Sequence, residues 1–100
     1  MTMTMAIRYS ISDAAVATIE AKRAKAMWMK AGAKDFRTRQ FFTGVFHGEW
    51  LFHLDFDDLA HLQKCLEVVR NSEDVKLINA NNGRVGNQQT AREILLGIDI

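Results

Sequence analysis

One hundred residues, 48% of them hydrophobic and 25% charged, fit one small globular domain and exclude a disordered or fibrous chain. A formal net charge of +1 excludes a strongly basic nucleic-acid arm or an acidic tail, and the lone cysteine, Cys65, excludes an intramolecular disulfide or a multi-cysteine zinc site. A domain this short buries only about two-thirds of its extended-chain surface, so pairing with a second copy would help to stabilise it.

The first residues, MTMTMAI, run within a few positions into Arg8 and Tyr9, so they lack the long apolar stretch of a signal peptide. No segment approaches the roughly 18 apolar residues of a membrane span. The expectation is a cytoplasmic protein with no membrane partner. From Met3 to Ile11 the residues Met5, Ile7, Tyr9 and Ile11 alternate with Ala6, Arg8 and Ser10, the period of two of a strand with one buried face. Ser12 and Asp13 suit a helix start, and Gly32 suits its stop, which predicts a helix rich in alanine between them. Only Thr18, Lys22, Lys25 and Met29 fall on a clearly wet arc of it. So wide an apolar circumference implies more than one neighbour, and Trp28 is expected against a second subunit.

Phe36 to Val45 and Glu49 to Phe56 read as two strands joined at His47-Gly48. A two-residue turn there sets Val45 against Trp50, Thr43 against Phe52 and Phe41 against Leu54. It places Phe41, Val45, Trp50, Phe52, Leu54 and Phe56 on one face, and Gln40, Phe42, Gly44, Leu51, His53 and Asp55 on the other. Asp57 and Asp58 cap a second helix, whose Leu59, Leu62, Leu66 and Val69 recur at helical spacing with Cys65 beside them. After Asn71-Ser72, Val75 to Ala80 reads as a last short strand, with Asn81-Asn82-Gly83 turning the chain. The final residues admit two readings: Thr90 to Glu93 matches a capping box, and Glu93 to Ile98 suits an added strand.

This order predicts an α+β ferredoxin-like βαββαβ domain over residues 1–80, a four-stranded antiparallel sheet with both helices on one face, and a C-terminal extension over 81–100. The helix-free face would carry Ala6, Phe42 and Leu51 among polar groups. Apolar surface on an open sheet calls for a partner, and the expected partner is a second copy, sheet against sheet, as a homodimer.

In this order of elements, and most closely in GVFHGEWLFHLDFDDLAHLQKCLEVV, the chain resembles the dimeric α/β-barrel superfamily. That superfamily includes antibiotic-biosynthesis-type monooxygenases, stress-responsive barrel proteins and NIPSNAP-like proteins. The resemblance implies a homodimer with a ligand pocket in each half-barrel and an activity among cofactor-free oxygenation, haem degradation and plain ligand binding. The Asn, Trp and His set of the haem-degrading branch has no residue-by-residue match here.

The candidate binding residues are Arg8, Gln40, Phe42, Leu51, His53 and Asp55. His53 and Asp55, two apart on a strand, would point the same way about 7 Å apart. Arg8 would meet a carboxylate or phosphate, and His53 could exchange a proton near neutral pH. Apolar walls with a few converging polar groups suit a mainly apolar molecule with one polar end, an acyl chain or an aromatic ring. A cofactor-independent monooxygenase, with His53 as the base, is the alternative, and a structural or regulatory dimer a third. The plainer reading of the polar set is that its members satisfy one another, or cross-subunit partners, at a wet dimer interface. A metal on His53, Asp55, Asp57 and His61 has weak spacing, since Asp57 and Asp58 already serve as a cap. NNGRVG matches no phosphate-binding fingerprint, and the basic residues between Lys22 and Arg39 read as a solvated face, so neither a cofactor nor nucleic acid is expected.

Overall fold

A computed structural model of the chain describes residues 2–100. The elements run β1 (Met3–Ser10), α1 (Ala14–Ala31), β2 (Asp35–Gln40), β3 (Trp50–Phe56), α2 (Leu59–Arg70), α3 (Glu73–Arg84) and β4 (Gln88–Leu96). The strands form one antiparallel sheet in the order β2-β3-β1-β4. All three helices lie on one face of it, giving a two-layer slab of 37 × 35 × 17 Å with a ferredoxin-like topology.

Local chemistry explains how the helices start and where α1 stops. The Asp13 carboxylate accepts the Val16 amide at 3.0 Å, so Asp13 and not Ser12 is the cap of α1. Gly32 closes α1 at φ 113°, in the left-handed region that favours glycine. Asp58 caps α2 as expected, accepting the His61 amide at 2.8 Å.

The segment read as a strand over Val75–Ala80 is instead part of α3. Ser72 caps it, Glu73 and Asp74 occupy its first turn, and Val75, Ile78 and Asn82 turn inward at helical spacing. Asn81-Asn82-Gly83 therefore lies inside a helix. The fourth strand comes from the C-terminal segment, where the strand reading of Glu93 to Leu96 holds and extends back to Gln88. β4 pairs along the whole of β1, with Thr90 as an extra residue beside Arg8 and Tyr9.

The β2–β3 hairpin also differs from expectation. Phe36 pairs with Leu54, Thr38 with Phe52 and Gln40 with Trp50, and the tip is a loop from Phe41 to Glu49 with two positive-φ glycines, Gly44 and Gly48. The shift exchanges the faces of β2. Gln40 joins Trp50 on the helix-covered side, and Arg37 and Arg39 join His53 and Leu51 on the bare side. Phe42 leaves the sheet altogether and is 85% exposed in the loop. The wide loop lets Phe46 fold back against Phe41 and over the Arg8 guanidinium, 3.5 Å from its carbon, a cation–π contact that a tight turn would forfeit.

The core lies between the layers. Met5, Ile7, Phe36, Phe52, Leu54 and Phe56 from the sheet meet Met27, Trp28, Leu62, Cys65, Val69 and Ile78 from the helices. Trp28 packs edge-on to Phe56 with ring centroids 6.0 Å apart, so it serves this core. Asn87, 4% exposed, ties the start of β4 to the start of α1: its Oδ1 accepts from the Ser12 and Asp13 amides, and its Nδ2 donates to the Asp13 and Asn82 oxygens.

Candidate functional site

A cavity of about 250 Å³ remains inside this core, between the sheet and the helices. Its origin is legible in α1. Ala17, Ala21 and Ala24 stand at i, i+4 and i+7 on the face turned to the sheet, and their methyl groups leave unfilled the depth that larger side chains would occupy. Opposite them stand Ile7, Phe36 and Phe52 of the sheet, and Met27, Trp28, Leu66, Val69, Val75 and Ile78 complete the apolar wall.

One side of the cavity is polar. Glu20 of α1, 3% exposed, accepts from Arg23 Nε at 3.0 Å and from Asn81 Nδ2 at 3.1 Å. A carboxylate so buried needs such partners. Asn79 and Asn82 of α3, Tyr9 of β1, and Gln89 and Arg92 of β4 add further polar lining, Asn79, Gln89 and Arg92 being exposed. The Asn82 carbonyl oxygen accepts from Asn87, and its amide nitrogen has no partner among the described residues. The Tyr9 hydroxyl has none either. Burial raises the Tyr9 pKa above the ordinary phenol value, a rise partly opposed by the Arg92 charge. At neutral pH Tyr9 is thus a neutral hydroxyl able to donate or accept. Arg70 and Arg92, both exposed, line the cavity and form no ion pair among the described residues. The open polar groups therefore favour a ligand that presents an acceptor oxygen.

The residues singled out from sequence lie elsewhere. Arg8, Leu51, His53 and Asp55 do share one face, the helix-free one, but none lines the cavity. Their side-chain partners are neighbouring residues of the sheet and the β2–β3 loop. Asp55 accepts from Thr4 Oγ1 at 2.7 Å and from Arg37 at 2.9 Å, and Arg8 lies 3.8 Å from Glu49 beneath Phe46. His53 is half-buried, and its pKa is lowered first by desolvation, then by the charges of Arg37 and Arg39, against the opposing pull of Asp55. Gln40 and Phe42 do not join this group.

Three of the four candidate metal ligands, Asp55, Asp57 and His61, are taken up by other partners. His61 Nδ1 accepts the Asp57 amide at 2.9 Å and its Nε2 donates to the Gly32 carbonyl at 2.8 Å, while Asp57 holds Lys34 at 2.7 Å. No cluster of three or more metal-binding side chains occurs among the described residues. Nor is any helix among them long and apolar enough to cross a membrane.

Sequence reasoning passed over Glu20, Asn79, Asn82, Gln89 and Arg92. The available signal was in α1: a carboxylate on the alanine side of a helix, set among Ala17, Ala21 and Ala24, belongs to a polar pocket and not to the wet arc. The strand reading of Val75–Ala80 concealed the other asparagines.

No family model and no curated protein matches the sequence. Solved structures do. SnoaB, a cofactor-independent oxygenase from Streptomyces nogalater, superposes with a TM-score of 0.64 at 10% identity, over 99% of this chain and 95% of that one. A candidate antibiotic biosynthesis monooxygenase from Deinococcus radiodurans matches at 0.60 and 13% identity, over 100% and 96%. A dimeric protein of ferredoxin-like fold from Bacteroides fragilis matches at 0.53 and 7%, over 94% and 92%. At such identities the likeness establishes the fold, and the chain has the ferredoxin-like fold that these proteins share. Function has to be argued from the site.

Proposed function

We propose that this protein binds a small, mainly apolar molecule in the cavity between sheet and helices, and that it does so as a homodimer. One observation carries the reading: an apolar cavity opposite a row of alanines, with the unpartnered Tyr9 hydroxyl and Asn82 amide on its polar side. Those groups take the ligand's oxygen, and the aromatic wall takes its body. A volume near the small end of the usual ~300–1,000 Å³ range suits a one- or two-ring aromatic or a short acyl chain. The second copy covers the helix-free face, where Ala6, Leu51 and Leu95 lie among Arg8, Arg37, Arg39, His53 and Glu93. In this arrangement Arg8, His53 and Asp55 serve the interface, a departure from the ligand-binding role expected of them.

Native mass spectrometry tests the reading directly. Gently purified protein offered octanoate or 1-naphthol should appear as a dimer with one ligand per chain. A dimer that ignores both probes would count against the cavity, and a monomer would count against the pairing.

The fold shared with SnoaB and the carboxylate within the cavity favour one further reading, cofactor-independent oxygenation of a phenolic substrate. Glu20 would be the base, because His53 lies across the sheet from the cavity. Oxygen uptake with a panel of phenols, abolished in Glu20→Gln and retained in His53→Gln, would support it. Absent uptake would leave binding alone.

A further inference from the structure

The outer side of the cavity's wall carries a second concavity. Thr18, Lys22 and Lys25, on successive turns of α1, face Phe36 and Thr38 of β2 and Trp50 of β3 around a groove of about 260 Å³. Ala21 and Phe36 line both spaces, so one thin wall separates them. β2 is an edge strand of the sheet, and no strand pairs with its outer side among the described residues.

Of the seven basic residues between Lys22 and Arg39, three are held in ion pairs, and Lys30 and Arg39, without one among the described residues, lie outside the groove. Arg23 is held by Glu20, Lys34 by Asp57, and Arg37 by Asp35 and Asp55. Lys22 and Lys25 form no ion pair among the described residues, and no acidic side chain lines their groove. Two ammonium groups without counter-charges therefore flank a half-buried indole, with two threonine hydroxyls beside them.

We propose that this groove is a second binding site, for a flat aromatic molecule carrying an anionic group, such as an aryl or nucleoside monophosphate. The indole offers a stacking surface that accepts any flat ring. The lysines act as adjustable point charges suited to phosphate. Either feature alone is weak, because exposed charges are screened by salt and a lone stacked ring leaves its other face wet. Together they require both ring and charge in one ligand. This site does not depend on what the cavity binds.

The two tryptophans of the chain make the test specific, since Trp28 lines the cavity and Trp50 the groove. Their indole N–H signals are followed by ¹H–¹⁵N correlation spectroscopy while adenosine 5′-monophosphate is added, with adenosine and inorganic phosphate as separate arms. The nucleotide should shift the Trp50 signal, leave Trp28 in place, and bind about tenfold more tightly than either part alone, about one decade in affinity. Lys22→Ala with Lys25→Ala, both exposed on α1, should weaken it by a similar factor with Trp28 unchanged. Unshifted Trp50 at millimolar nucleotide, a shift of Trp28 instead, adenosine binding as well as the nucleotide, or unchanged binding by the double variant would each overturn the proposal.

Discussion

Ala24→Leu places three extra carbons in the space between α1 and the sheet. If that space is a real cavity, they gain about 0.8 kcal/mol each, roughly 2.4 kcal/mol together. Ordering the leucine side chain costs about 0.5–1 kcal/mol, and the change in helix propensity is small. The net gain is about 1–2 kcal/mol, enough to raise Tm by roughly 4–8 °C or more in a domain of this length. A filled core would give the opposite sign, since overpacking costs about 1–3 kcal/mol. Thermal and urea unfolding of both proteins at one concentration, alongside uptake of 1-naphthol, reads both effects. The variant should be more stable and bind less. A lower Tm would refute the cavity, and a higher Tm with undiminished uptake would show that the ligand sits elsewhere.

Asn87→Ala removes four hydrogen bonds from a buried junction and strands the Ser12 and Asp13 amides, so it should cost on the order of 3 kcal/mol, read from urea midpoints. A loss below about 0.5 kcal/mol would contradict that role. Tyr9 is the chain's one tyrosine, so tyrosinate absorbance reports it alone. Its raised pKa means that folding disfavours the phenolate: its contribution to stability is complete below about pH 10 and lost as the pH rises through the folded midpoint. A midpoint at or below that of a free phenol would be inconsistent with its burial. For His53 the shift is downward, so its contribution is present above the free imidazole value near 6.5 and is lost as the pH falls through the folded pKa. Imidazole NMR titrations, assigned with His53→Gln, should place this residue below 6.5, and a value above it would contradict its desolvation and the Arg37 and Arg39 charges beside it.

Where local chemistry alone decides, the sequence was readable. Asp58 with the apolar period of α2, the alternation of β1, and Gly32 after α1 each express a backbone rule satisfied within a few residues. The fold class followed from that order even though the fourth strand was misplaced. α3 was missed because Asn82, buried on its inward face, and the exposed Asn79, which also lines the cavity, interrupt the apolar period that would have marked a helix. The hairpin slipped because FFTGVF carries aromatic residues that suit a strand, while the partners that fold it into a loop, Arg8 for Phe46 above all, are distant in sequence. That slip moved Gln40 and Phe42 onto the wrong surface and directed attention to the bare face. The cavity depends on which side of a long alanine-rich helix meets the sheet, a matter of tertiary packing. Only Glu20 among those alanines announced it.

Soaking crystals of the protein with 4-iodophenol tests the central claim most directly, because the anomalous signal of iodine locates the ligand without interpretation of its outline. Iodine is expected in the space bounded by Trp28, Phe52 and Ile78, with the phenol oxygen directed toward Tyr9 and Asn82. Iodine found solely on the helix-free face beside Arg8 and His53, or nowhere on the protein, would contradict it.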